Sequence, residues 1–122
     1  MAGLQDYLLP AFPTFFRKDL KIMKARKSRK PLFNIGEVAA TKRVKERMEK
    51  SQDFDLFCRR SLVRHIYGDW GSISKFDKRS NDEAIYYGER ILSVYPFGDM
   101  YKIWIVTEAD RNHTTIMFPD EY

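Results

Sequence analysis

The chain has 122 residues, nine of them Phe and seven Tyr, with hydrophobic residues at 43%. This is enough apolar mass for one folded domain and excludes a disordered polar chain, while the single cysteine, Cys58, excludes an internal disulfide and a multi-cysteine zinc site. Residues 17–64 carry 16 Lys/Arg against 6 Asp/Glu, a net of +10, whereas residues 65–122 carry 6 against 10, so positive charge gathers in the amino-terminal half of a chain whose total is +5.

Residues 1–30 read as a basic amino-terminal arm, partly helical, ahead of a single compact domain over 31–122. Leu4, Tyr7, Leu8 and Leu9 suit one or two helical turns, Pro10 and Pro13 interrupt them, and Phe16, Leu20 and Met23 recur at helical spacing. KARKSRK, residues 24–30, is a solvated basic tract, and Met23 before it is a plausible alternative start. The opening MAGLQDYLLPAFPTFF has no basic residue ahead of its apolar part and carries Asp6, unlike a secretory signal. No apolar run approaches the roughly 18 residues of a bilayer-spanning helix. A cytoplasmic protein with no membrane partner is expected.

Phe33, Ile35 and Val38 around Gly36 predict a short or bulged strand, and Thr41 is an N-cap for KRVKERMEKSQ, where only Val44 and Met48 share an apolar face. After Asp53, the spacing of Phe54, Phe57, Cys58, Ser61, Leu62 and His65 or Ile66 predicts a second helix ending at Gly68, with Arg59, Arg60 and Arg64 off its apolar face. Ser80 or Asn81 is expected to cap a short helix through DEAIYY that stops at Gly88. From there the period becomes two: residues 89–97, 101–108 and 114–118 read as strands, the first two joined by a turn at PFGDM. The expected fold is α+β, two or three amino-terminal helices packed on a carboxyl-terminal antiparallel three-stranded meander.

Three groups of residues bear on chemistry. TEADRNHTT, residues 107–115, gathers Glu108, Asp110 and His113, a set suited to a hard divalent cation and so to a small metal-dependent hydrolase or nuclease. The same loop also reads as a hairpin turn in which Asp and Asn bond their own backbone. It lacks the lysine of the restriction-type nuclease pattern. Ser61 and His65, four apart on one helix, could form a hydrolytic dyad or simply pack, and Cys58 on the apolar stripe reads as a small buried hydrophobe. Neither GxGxxG nor a Walker-type loop is present, and no cofactor is expected.

The third group is basic. Lys24, Arg26, Lys27, Arg29 and Lys30, then Lys42, Arg43, Lys45, Arg47 and Lys50, then Arg59, Arg60 and Arg64 are candidates for tracking a phosphate backbone, the alternative being a solvated face. The same positive face suits an acidic groove on a protein that handles nucleic acid. Trp70, between glycines in GDWG, either folds over a helix end or stands at a partner interface. An adaptor that oligomerises through a sheet edge or Trp70 is a further alternative.

The blocks GDWG, Asp77, Asn81-Asp82, Ala84, Gly88, RILS at 90–93, Tyr95, KIWIVTEADR at 102–111, Thr114-Thr115 and PDEY at 119–122, with FNIGEVAAT at 33–41, resemble a family of small bacterial proteins carried on plasmids, integrative elements and phages and described only as plasmid-related. The resemblance covers about residues 32–122; the arm and the strongly basic helix depart from the family pattern. It implies a mobile-element accessory protein in the bacterial cytoplasm. With the charge segregation, the expected function is non-enzymatic binding of RNA, DNA or a host nucleoprotein defence complex, most concretely as an anti-CRISPR or anti-restriction type antagonist.

Overall fold

The computed structural model describes residues 6–8 and 30–122. Among them are five strands, β1 (Asp6–Leu8), β2 (Glu37–Thr41), β3 (Ile91–Phe97), β4 (Tyr101–Thr107) and β5 (His113–Met117), three helices, α1 (Lys42–Lys50), α2 (Gln52–Ile66) and α3 (Lys75–Tyr87), and a 3₁₀ turn at Pro119–Glu121. No helix among the described residues is long and apolar enough to cross a membrane.

Side-chain caps set the helix starts. Thr41 Oγ1 accepts from the Val44 N–H, Ser51 Oγ from Phe54 and Ser74 Oγ from Asp77. Ser51 also donates its backbone N–H to the Arg47 carbonyl, so one residue closes α1 and opens α2. The α3 start differs from the sequence expectation: the helix begins at Lys75, not after Ser80 or Asn81. Only Asn81 and Ala84 of this helix are buried, too few to write a helical period into the sequence. Asn81 sits mid-helix, where its amide accepts from the Leu92 N–H and donates to the Leu92 carbonyl, fastening α3 to β3.

The expected meander is present, as β3–β4 and β4–β5 pair antiparallel, but the sheet continues beyond it. Strand β2 lies parallel to β5, and β1 antiparallel to β2, giving a mixed sheet in the order β1-β2-β5-β4-β3. Residues 6–8 are thus a strand where the leucine spacing pointed to a helical turn; the rest of the helical reading of the arm lies outside the described residues. The first segment of the compact part becomes a strand only from Glu37, after Gly36, whose φ of 61° and close approach to the Asn112 backbone leave no room for a side chain. Gly71 is likewise confined against the Val94 carbonyl, where residues 70–72 hydrogen-bond the outer edge of β3. With Pro96 on that strand, little of the edge is open to further pairing.

The period-two alternation decides which side chains enter the core. Tyr95, Ile103, Ile105 and Ile116 lie on one sheet face and meet Val44 and Met48 of α1 and Phe54, Cys58 and Leu62 of α2. Phe54, fully buried, is the hub of an aromatic cluster: its ring stands edge-on to Phe97 at 5.5 Å and to Tyr101 at 5.6 Å and stacks on Phe118 at 6.1 Å. Removing that ring leaves a cavity bounded by three elements. Phe54→Ala is expected to lower unfolding stability by about 3–5 kcal/mol, read as a fall in the urea midpoint, and a fall of under about 1 kcal/mol would show that the cluster is not a rigid core.

Candidate functional site

Arg43, Arg47 and Lys50 recur at i, i+4 and i+7 and so share one face of α1. Opposite this face lie Tyr101 and Lys102 at the start of β4 and the carboxyl-terminal turn. That turn is anchored by a buried carboxylate: Glu121 Oε1 accepts from the Thr41 hydroxyl at 2.9 Å and from the Phe118 N–H at 2.8 Å. Asp120 next to it holds Arg43 through both carboxylate oxygens. Phe118 and Tyr101 are thereby fixed beneath the guanidinium groups, Arg43 5.1 Å above Phe118 and Arg47 4.9 Å above Tyr101 and 5.9 Å from Phe118. Between them is an open cleft of about 350 Å³ lined by Arg43, Arg47, Tyr101, Lys102, Phe118 and Asp120.

Several of the candidate cations answer to acids of their own chain. Arg43 pairs with Asp120, Lys45 with Glu49, Arg59 with Asp55 and Arg64 with Asp69, the last also lying over the Tyr95 ring. The Asp69 hydrogen bond holds the Arg64 guanidinium above its ordinary pKa. Lys30, Lys42, Arg47, Lys50 and Arg60 make no ion pair among the described residues. Lys24, Arg26, Lys27 and Arg29 lie outside them. Lys102 is the cleft cation that sequence reading missed, because nothing in YKIWIVT marks which helix faces the start of that strand. Arg60, by contrast, lines a separate shallow groove on α2 with Leu56 and Phe57.

Trp70 is a packing residue and not the partner contact that its place between glycines allowed. It is 4% exposed, its Nε1–H donates to Asp82 at 3.0 Å, and its ring packs with Phe33 and His65. The glycines of GDWG let the indole fold under α3.

The acid-rich loop is a hairpin turn whose three candidate ligands go separate ways. Glu108 pairs with Arg90 at 3.1 Å, Asp110 accepts from the Asn112 N–H at 2.9 Å, and His113 faces Glu37 at 3.9 Å. Among the described residues no three His, Cys, Asp or Glu side chains meet as metal ligands. The informative residue of the loop is Arg111, which carries φ 62° and reaches across to α3. Its guanidinium donates to the carbonyls of Ala84, Glu89 and Glu108. Helix α3 has no basic residue in its last turn, so the hairpin supplies the cation that its carboxyl-terminal dipole favours.

His65 is fully buried and does not bond Ser61. Its Nδ1 lies 2.6 Å from Ser93 Oγ and its Nε2 2.9 Å from Thr107 Oγ1, which lies 2.7 Å from Thr114 Oγ1. Thr114 in turn donates to the Ile35 carbonyl at 2.7 Å, and that last acceptor orders the whole chain of hydrogen bonds. Each hydroxyl has one proton, so Thr107 donates to Thr114 and Nε2–H donates to Thr107; burial disfavours the charged ring, so Nδ1 carries no proton and accepts from Ser93. The imidazole is neutral and of the Nε2–H tautomer. Cys58 is buried, and desolvation pushes its thiol well above the ordinary range, with the Asp55 charge adding to the effect.

Comparison with protein-family models, with curated proteins and with solved structures finds no match to the chain.

Burial, and secondarily the Arg111 charge, pushes the His65 pKa down to about 3. An unfolded chain binds a proton there near pH 6.5 while the folded chain does not, so the stability His65 confers is present above that value and is lost as pH falls from 6.5 toward 3. The His65-dependent part of the decline is expected to approach about 1.4 kcal/mol per pH unit. Urea unfolding between pH 7 and 5 should therefore show a steeper decline for the native chain than for His65→Gln; equal slopes would contradict a neutral buried imidazole.

Proposed function

We propose that the protein is a non-enzymatic nucleic-acid-binding protein whose contact surface is the face of α1 bearing Arg43, Arg47 and Lys50 together with Tyr101, Lys102 and Phe118. The observation that carries the proposal is Arg47. Its guanidinium lies over Tyr101 with no carboxylate partner among the described residues, so it presents a planar, uncompensated cation beside the cleft. Such a plane stacks on an unpaired base, while Lys50 and Lys102 lie where backbone phosphates would pass.

A conflict in α1 supports the reading. Its first turn has no acid of its own and opens with Lys42 and Arg43, which the helix dipole disfavours; Asp120 offsets Arg43, while Lys42 makes no ion pair among the described residues. Charge placed against local preference in this way is expected at functional or strained sites. The groups with catalytic potential have structural roles: His65 in the hydroxyl chain, Cys58 in the core, and Glu108 and Asp110 in separate contacts.

The biological form of the proposal is an accessory protein of a mobile element, acting on nucleic acid or on a host complex that holds it, and most concretely antagonising host defence. Small size, segregated charge and the family resemblance support it.

Fluorescence anisotropy with labelled single-stranded and duplex oligonucleotides across a salt series tests the contact. Tighter binding of the single strand is expected, weakening linearly with log salt. Arg47→Glu with Lys102→Glu should weaken it on the order of tenfold or more and flatten the salt slope by about 0.7 for each phosphate no longer neutralised. No binding at low salt, or binding indifferent to both substitutions, would overturn the proposal; retention of a host protein after nuclease treatment would point to protein antagonism instead.

A further inference from the structure

Helix α3 exposes what a helix docked on a sheet normally hides. Phe76 is 75% exposed, Tyr86 90% and Tyr87 74%, all three on one short helix. Core contact is confined to Asn81, Ala84 and the half-buried Ile85. At 100° per residue, Phe76, Arg79, Glu83 and Tyr86 fall on the opposite side, a strip spaced i, i+3, i+7, i+10. Large aromatics contiguous on such a strip are the residues that anchor protein interfaces.

The order of groups along the strip names the occupant. Around the level of Asn81 it is symmetric in position and antisymmetric in charge: Phe76 lies five residues before that level and Tyr86 five after, Arg79 two before and Glu83 two after. More widely, Lys75, Lys78 and Arg79 outnumber the one acid, Asp77, in the amino-terminal half, while Asp82 and Glu83 lie in the carboxyl-terminal half. A twofold axis through that level sets α3 antiparallel to its own copy. Each Phe76 then meets Tyr86 of the other copy, and each Arg79 meets Glu83 of the other copy.

Arg79 and Glu83 stand at i, i+4 within their own helix, yet they form no ion pair among the described residues, and the order with the cation first is the weaker one for such a pair. Neither do Lys75 and Lys78. These charges are free to be satisfied across an interface, unlike Arg43, Arg59 and Arg64.

We propose that the protein forms a twofold-symmetric homodimer through the outer face of α3, the Phe76 and Tyr86 rings packing across the axis and Arg79 pairing with Glu83 of the second copy. A 13-residue helix is about 20 Å long. One such crossing buries less than the ~800 Å² per partner of a standard interface, so the dimer is reversible and forms with rising concentration. The surface is separate from the α1 cleft, and the dimer carries two such clefts.

Sedimentation equilibrium over a wide concentration series is the test, with circular dichroism confirming that each variant is folded. A reversible monomer–dimer equilibrium is expected for the native chain. Phe76→Ser with Tyr86→Ser should shift it to monomer, and Arg79→Glu alone should weaken association on the order of tenfold by placing like charges opposite one another. The exchange Arg79→Glu with Glu83→Arg should restore association, because the twofold re-creates the opposite-charge pair. A native chain that stays monomeric throughout overturns the proposal, as does a dimer indifferent to Phe76 and Tyr86 or one that the charge exchange fails to rescue.

Discussion

The contact on which the rest of the molecule depends is the ring cluster around Phe54. One side chain from α2 touches the end of β3 through Phe97, the start of β4 through Tyr101 and the segment after β5 through Phe118. Tyr101 and Phe118 are thereby held from beneath. Arg47 and Arg43 lie over these same rings, so the cations inherit the rigidity of the core without being buried in it. Each exposed cation–π contact is worth only about 0.5–1 kcal/mol. Its larger effect is positional: two long side chains that would otherwise sweep through solvent are kept at one cleft.

Polar residues elsewhere hold the layers in register. The His65 chain links α2 to β3, β4, β5 and the Ile35 carbonyl through four hydrogen bonds, leaving no buried ring nitrogen of His65 unpaired. Arg111 ties the β4–β5 hairpin to the end of α3, and Glu121 ties the last residues to the cap of α1. Imidazole, guanidinium and carboxylate here have cohesive roles, and among the described residues His65, Glu108, Asp110 and His113 each have separate partners.

What the sequence made legible was what is local. Thr41 as a cap, the stop at Gly88, the alternation of β4 and the turn at PFGDM each rest on residues within one element, and each is present. The parallel β2–β5 pairing joins residues more than 70 positions apart and leaves no local mark, so the sheet is larger than the expected meander. The start of α3 was hidden because a helix that buries two residues writes no apolar period. Ion pairing divided in the same way: Asp55 and Arg59 lie four apart and can be read from the chain, whereas Arg43 with Asp120 cannot. The basic stretch was therefore visible as charge, but which of its cations are uncompensated, and that Lys102 joins them, emerged only from packing.

The claim that the Arg47–Tyr101 side of α1 is a nucleic-acid contact is tested most directly by an NMR titration of isotope-labelled protein with a short single-stranded oligonucleotide. Shift changes concentrated at Arg43, Arg47, Lys50, Tyr101 and Lys102, with the hairpin at 108–113 and the outer face of α3 undisturbed, are the expected result. Changes centred on the hairpin or on Phe76 and Tyr86, or none at low salt, would contradict it.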